Sequence, residues 1–154
     1  MTAREYENLI SRLMAEIFQQ TDNNSGITVC FGAKNKYRGA SGHPHQIDVS
    51  VQSYDQLYLV ECKCWESKVK VETVLAFYGR ITDIRPTIGG ELQSAIATRR
   101  GYQPGAEVVA KHFGIELWWV QSEFEFGMKF KDRFLVRAQE LIKVSEQVSV
   151  ELSA

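Results

Sequence analysis

Apolar residues recur at the spacing of an amphipathic helix in three segments of the chain. Residues 4–20 carry one apolar stripe, which predicts a helix with a single buried face. Thr2, followed three residues later by Glu5, is positioned to cap that helix. The same spacing predicts a second helix at residues 69–84 and a third at residues 104–113, opened by a proline and followed by a glycine.

Short runs rich in β-branched and aromatic residues predict strands between these helices. The predicted strands are residues 27–31, the two arms of a hairpin within residues 46–64, residues 92–98 and residues 115–120. Residues 32–44 are polar and contain glycine, so we expect a loop there. The resulting order of elements is αβββαβαβ, and a further amphipathic helix is expected at residues 130–143.

The hairpin brings charged residues together. An antiparallel register centred between residues 54 and 55 places Asp48 opposite Glu61, with Lys63 two residues further on the same face. Gln46 would then lie opposite Lys63. The other face would be filled by Ile47, Val49, Val51, Tyr58, Val60 and Cys62.

This arrangement favours a divalent-metal site. Facing carboxylates, with Cβ atoms ~4.5–5.5 Å apart, destabilise a sheet unless a cation lies between them. Mg²⁺ suits such a site because it binds one or two protein carboxylates and keeps room for water and phosphate oxygens. The alternative is a solvated strand edge with an ordinary Glu61–Lys63 pair beside an unrelated Asp48. Glu7, on or near the buried stripe of the first helix, either supports the metal site or interacts with the helix dipole.

The composition fits one domain. The chain has 154 residues, of which 44% are hydrophobic, and we expect a soluble, cytoplasmic protein without a signal peptide or membrane segment. Three cysteines in such a chain favour reduced thiols over disulfides. A zinc site is disfavoured because the spacing of its candidate ligands is poor, and buried thiols are favoured. These candidates are Cys30, Cys62, Cys64, His43 and His45.

The net charge of −1 means that any attraction to nucleic acid must be local. Two stretches without acidic residues, 23–47 and 92–106, are candidates for phosphate contacts, and the second precedes a helix N-terminus. Their candidate nucleic-acid-binding residues are Lys34, Lys36, Arg38, Arg99, Arg100, Tyr102 and Gln103. The alternative is that both stretches are ordinary solvated loops.

Asp48, followed after a hairpin by Glu61-Cys62-Lys63, resembles the PD-(D/E)XK signature of nucleases with the restriction-endonuclease-like fold, although Ile47 replaces the usual proline. The segment from Thr98 to Trp118 is similar to the last strand, helix and strand of Mrr-like restriction endonuclease domains, and the resemblance covers residues 4–121. It implies an α/β fold with a mixed central β-sheet flanked by helices. The nuclease domain would span residues 1–128, with residues 129–154 as a C-terminal helical extension of the same domain.

The resemblance also implies a metal-dependent endonuclease that hydrolyses DNA. Asp48 and Glu61 would hold Mg²⁺, which Mn²⁺ could replace; Glu7 would support the metal site and Lys63 would serve the attacking water. Gln46 is either a contact to that water or to a phosphate, or an ordinary polar residue. Two alternatives stay open: a structure-selective nuclease similar to Holliday-junction resolvases, and an inactive DNA-binding or assembly module. A homodimer or a partner protein is expected to supply specificity, without a membrane partner.

Overall fold

The structure of the protein is a computed structural model that describes residues 1–21, 26–53 and 56–127. The predicted C-terminal extension, residues 129–154, and its helix at residues 130–143 lie outside the described residues. The domain boundary at residue 128 therefore stays a prediction. Within the described ranges, no helix combines the length and the apolar character that a membrane span requires.

The three predicted helices that fall within the described residues are confirmed, as α1 (Ala3–Thr21), α2 (Val71–Ile84) and α3 (Pro104–Phe113). The predicted cap of α1 is a capping box: the Thr2 backbone N–H donates to Glu5 Oε2 (2.6 Å) and the Glu5 N–H donates to Thr2 Oγ1 (3.2 Å). Gly114, with φ of 70°, ends α3 in the left-handed conformation that glycine adopts without strain.

Within the part of the chain that the structure describes, the strands form a mixed sheet of six and a separate pair. They are β1 (Thr28–Phe31), β2 (Lys36–Arg38), β3 (Pro44–Gln46), β4 (Val49–Gln52), β5 (Gln56–Lys63), β6 (Glu91–Thr98), β7 (Glu116–Val120) and β8 (Phe126–Gly127). The large sheet has the order β1-β4-β5-β6-β7-β8, and β2 pairs with β3 alone. Strands β5, β6 and β7 are parallel, whereas the other neighbours in the large sheet are antiparallel. The predicted α/β class with a mixed sheet flanked by helices is thus confirmed.

The sheet separates two apolar layers, one beneath α1 and the other beneath α2 and α3. On the α1 side, Tyr6 and Met14 pack on Val60, and the Tyr6 hydroxyl donates to the Val120 carbonyl oxygen (2.8 Å). On the opposite side, Phe77 and other buried residues of α2 pack on Leu59 and its neighbours. Strand β5 is covered on both faces, which explains its continuous apolar sequence up to Glu61.

The expectation of a loop at residues 32–44 is wrong where the chain forms the β2–β3 hairpin, at residues 36–38 and 44. In this hairpin Gln46 pairs with Lys36 and not with Lys63. The strands are only three residues long and mostly exposed, so they lack the apolar alternation that predicts a strand.

Ile47 also lies on the unexpected face, since it is buried in the layer beneath α2 and α3. The cause is a bend at Asp48 that separates β3 from β4. Continuation of the ladder would place Cys62 opposite Ile47, but the Cys62 N–H donates to the Asp48 carboxylate instead (2.9 Å to Oδ2). The Ile47 N–H donates to the Asn35 carbonyl oxygen (2.9 Å), and this hydrogen bond turns the Ile47 backbone towards the β2–β3 hairpin.

Candidate active site

The predicted register of the central hairpin is confirmed. Val49 pairs with Val60, and the same register brings Asp48 level with Glu61 just beyond the last pair. Strand β5 continues past that point along β6 alone, as far as the pair of Lys63 with Thr98. The end of β5 therefore has one side not paired to β4, and the candidate catalytic residues lie at this opening.

Asp48 lies where carboxylates repel one another. Burial, the neighbouring carboxylate of Glu61 and, more weakly, that of Glu7 raise the pKa of Asp48 to about 6, against the lowering effect of the Cys62 N–H. Burial and Glu61 likewise raise the pKa of Glu7, which α1 places over this end of the sheet. The carboxylates of Glu61 and Glu7 thus both act on Asp48, and that of Glu61 acts on Glu7; a metal-binding role for the three stays a prediction.

Glu61 is almost completely buried, with 3% of its surface exposed, and two cationic side chains compensate its charge. Lys63 Nζ lies 2.7 Å from Oε1. Arg80, from α2, forms a two-pronged pair in which Nη1 donates to Oε2 (3.0 Å) and Nη2 donates to Oε1 (3.1 Å). A buried carboxylate without such partners would be strongly destabilising, so these contacts compensate the charge of Glu61 and hold its side chain in one orientation.

Lys63 and Trp65 form the open side of the site. The Lys63 ammonium lies 5.0 Å from the centre of the Trp65 ring, within the range of a cation–π contact. The Trp65 side chain is exposed, and it borders a groove of about 790 Å³ that also includes Glu66, Lys70 and Thr73. Lys63 therefore pairs with Glu61, acts electrostatically on Asp48 and contacts the exposed Trp65 ring.

Sequence reasoning missed Arg80 and Trp65. A signal for Arg80 was present: it flanks the buried stripe of α2, next to Ile81, and the α2 layer covers the sheet face that carries Glu61. An arginine at the border of a helix that packs on a buried glutamate is well placed to pair with it. Trp65 follows the strand in sequence, but no spacing rule indicates its exposure.

The candidate DNA contacts in the first basic stretch are exposed on the β2–β3 hairpin and the loop before it. Lys34, Lys36 and Arg38 all face solvent, and Arg38 Nη1 donates to the Gly42 carbonyl oxygen (2.6 Å). Asp83 of α2 fastens the hairpin, because it accepts hydrogen bonds from the Ser41 backbone N–H (2.9 Å) and hydroxyl (2.6 Å). Asp83 Oδ2 also lies 2.7 Å from His45 Nε2, and these contacts lower the pKa of Asp83 to about 2.

The second basic stretch is partly engaged within the protein. Glu66 pairs with Arg100 (2.6 Å to Nη2) and Arg99 (3.5 Å to Nη1), and the Arg99 side chain is only 20% exposed. The Tyr102 hydroxyl lies against the carbonyl oxygens of Ile96 and Trp118 (2.8 Å to the latter), so its hydrogen is already used. Gln103 is exposed at the N-cap of α3. A role for these residues in DNA binding stays a prediction.

The donor chemistry at Asp48 fits a hard divalent cation. Carboxylate oxygens are the ligands that Mg²⁺ and Mn²⁺ prefer, and a cation would relieve the repulsion among Glu7, Asp48 and Glu61. Across the part of the chain that the structure describes, no group of three or more His, Cys, Asp or Glu side chains is preassembled around one metal position. Glu61 instead holds Arg80 and Lys63. The three cysteines form no disulfide; Cys62 and Cys64 are half-buried against the α1 core, whereas Cys30 is exposed, so the expectation of a buried thiol is wrong for Cys30.

The fold is restriction-endonuclease-like. The chain belongs to the restriction endonuclease family Mrr_cat, whose family model matches residues 1–122. No curated protein matches the sequence significantly.

Solved structures share the fold. One is a protein of unknown function, with 19% identity and a TM-score of 0.55 over 72% of this chain and 56% of its own. Another is a repair endonuclease from Pyrococcus abyssi, with 14% identity and a TM-score of 0.51 over 75% of this chain and 47% of its own. This chain spans about half the length of these proteins.

Proposed function

We propose that the protein is a divalent-metal-dependent endonuclease that hydrolyses DNA phosphodiester bonds at the site formed by Glu7, Asp48, Glu61 and Lys63. The observation that carries the proposal is the position of Asp48 level with Glu61 at the open end of β5, with Lys63 beside Glu61 and the pKa of Asp48 raised by burial and by the carboxylates of Glu61 and Glu7. Charged side chains with a purely structural role are normally arranged so that like charges are kept apart or are paired. A cation-binding site instead brings carboxylates close together. Membership of a restriction endonuclease family supports the same activity.

Each residue has a distinct task in this proposal. Asp48 and Glu61 hold the cation, Mg²⁺ or Mn²⁺, and Glu7 adds negative charge behind them. When bound, the cation lowers the pKa of a water molecule and neutralises charge on the phosphate. Lys63, which is held near Glu61, orients that water or stabilises negative charge on the phosphate oxygens. The water loses a proton to solvent as its oxygen bonds to phosphorus, the bond to the leaving sugar oxygen breaks, and that oxygen takes up a proton from solvent.

DNA would be held by the exposed cations around the opening. The β2–β3 hairpin presents Lys34, Lys36 and Arg38, and Arg100 and Gln103 lie beyond the end of β6. Such side chains bind phosphates, which positions a duplex without reading its sequence. Recognition of a site, a base modification or a DNA structure therefore falls to DNA shape, to a second copy of the chain or to a partner protein.

The catalytic proposal is tested by a nuclease assay on methylated and unmethylated plasmid, linear DNA and branched DNA, with Mg²⁺, Mn²⁺ or EDTA. We expect cleavage only with a divalent cation, loss of cleavage in Asp48→Asn and Glu61→Gln, and normal cleavage in Glu72→Gln, which removes an exposed carboxylate of α2. Full activity of Asp48→Asn would contradict the proposal. Cleavage of branched DNA alone would favour the junction-resolving alternative, and metal-independent binding without cleavage would favour the inactive module.

The DNA surface is tested separately by binding in a salt series. Removal of the charges at Arg38, Arg99 and Arg100 should weaken binding equally for unrelated sequences. Each lost phosphate contact should flatten the slope of log affinity against log salt by about 0.9. An unchanged slope would mean that other residues hold the DNA.

A further inference from the structure

Arg80 binds the carboxylate of Glu61, which the proposed function assigns to the metal. Its two terminal nitrogens contact both oxygens of Glu61, at 3.0 and 3.1 Å, and Lys63 adds a third contact at 2.7 Å. The Glu61 side chain is 4% exposed, whereas that of Arg80 is 29% exposed. Arg80 therefore covers Glu61 from the solvent side, and a cation that binds this carboxylate competes with the guanidinium for the same oxygens.

Among the described residues, the other polar partner of Arg80 is the Gln46 carbonyl oxygen, at the end of the β2–β3 hairpin. This contact is long, 3.5 Å from Nη1, so it does not prevent Arg80 from leaving Glu61. A phosphate of a bound duplex near this hairpin offers two oxygens in the planar arrangement that a guanidinium binds in the same two-pronged way. The exchange of a carboxylate for a phosphate keeps Arg80 paired, so the movement leaves no uncompensated charge on the arginine.

We propose that Arg80 is an exchangeable positioning residue, which holds Glu61 in the metal-free protein and passes to a DNA phosphate when the divalent cation takes its place. Metal binding and DNA binding then favour each other, because each one removes the competitor of the other. The proposal rests on the proposed function, since Glu61 must be a metal ligand. It adds that the protein binds its metal weakly until DNA arrives.

The test measures Mn²⁺ affinity without DNA, by calorimetry or by electron paramagnetic resonance, in wild type and Arg80→Gln. Loss of the competitor should tighten Mn²⁺ binding by about tenfold, equivalent to ~1.4 kcal/mol. Arg85→Gln is the matched control, because it removes the same charge from the end of α2, where Arg85 contacts the Leu92 carbonyl oxygen. Equal or weaker Mn²⁺ binding in Arg80→Gln would overturn the proposal, as would equal tightening in Arg85→Gln.

The second arm measures coupling. The affinity for a short duplex is compared in EDTA and in Ca²⁺, and the duplex is checked for cleavage after each measurement. Ca²⁺ should tighten DNA binding by wild type, and this tightening should be largely lost in Arg80→Gln. If Arg80→Gln does not fold, Arg80→Lys decides, because lysine keeps the charge but not the two-pronged contact and should tighten Mn²⁺ binding partially. An Arg80→Lys affinity equal to that of wild type would overturn the proposal.

The two proposals fail differently. If Mn²⁺ binding to wild type is absent both with and without a duplex, or is unaffected by Asp48→Asn, the metal site itself is wrong and both proposals fall. If binding depends on Asp48 but Arg80→Gln leaves it unchanged, the metal site stands and only the role of Arg80 is overturned.

Discussion

Replacement of Asp48 by asparagine tests the electrostatics of the site without DNA or metal. The pKa of Asp48 is raised from an ordinary 3.8 to about 6, chiefly by burial and by Glu61. A raised pKa means that the folded state binds a proton more tightly than the unfolded state. The stability associated with Asp48 is therefore fully present below about pH 4 and is lost as the pH rises through about 6.

The size of the effect follows from the shift. At about 1.36 kcal/mol per pH unit, the ionised Asp48 costs the folded state at most ~3 kcal/mol above pH 7. Asparagine avoids this cost and keeps an oxygen for the Cys62 N–H, although the loss of charge assistance weakens that hydrogen bond by ~1 kcal/mol. We expect Asp48→Asn to be more stable than wild type by ~2 kcal/mol near pH 8, or ~4–8 °C in Tm, and to show no gain near pH 4.

The assay is thermal or urea unfolding in EDTA from about pH 4 to about pH 8. Asp83→Asn provides a control of opposite sign: the pKa of Asp83 is lowered to about 2 by Ser41 and His45, so its removal should destabilise the protein at both ends of this range. Addition of Mg²⁺ should stabilise wild type near pH 8 and leave Asp48→Asn nearly unchanged. The reasoning is refuted if Asp48→Asn is no more stable than wild type near pH 8, or if its gain is the same near pH 4.

Three further variants have defined outcomes. Lys63→Ala should bind metal and DNA normally but lower the single-turnover cleavage rate by about 10²–10³, and a wild-type rate would make Lys63 structural. Glu66→Gln should tighten DNA binding and steepen its salt dependence in gel-shift titrations, because it releases Arg99 and Arg100 from their ion pairs. Glu72→Gln should have neither effect, and equal effects of the two variants would indicate a general effect of charge. Gly39→Ala should lower the free energy of unfolding in urea by ~1–3 kcal/mol, because the added Cβ would overlap the Asp83 carboxylate. Gly79→Ala, where the added Cβ meets open space, should not destabilise the protein, and a stability of Gly39→Ala equal to wild type would contradict the docking of the hairpin.

The sequence predicts those parts of the fold that depend on local pattern. The helices follow from their apolar stripes, and the register that brings Asp48 level with Glu61 follows from the centre of the hairpin and strand alternation. The bend at Asp48 breaks that alternation through a contact between its side chain and the Cys62 backbone, which no pattern of apolar residues encodes. The position of Ile47 could not be predicted for this reason.

The candidate site is predictable to the extent that its residues are neighbours in one hairpin. Arg80 reaches Glu61 from a helix that begins after the hairpin ends, and Glu66 neutralises arginines 33 and 34 residues away. Such pairs depend on how helices and loops dock on the sheet. Acid-free stretches of sequence therefore indicate where cations occur, but not which of them are free to bind a phosphate.

The separation of the two sheets has a consequence for how such a protein can diverge. Asp48 and Glu61 are aligned by the β4–β5 ladder, whereas Lys34, Lys36 and Arg38 belong to the β2–β3 hairpin or the loop before it, outside that ladder. Substitutions at these three exposed positions can alter the charge presented to a ligand without shifting the carboxylates. The charge that the hairpin presents to a ligand can therefore vary while the positions of Asp48 and Glu61 stay constant.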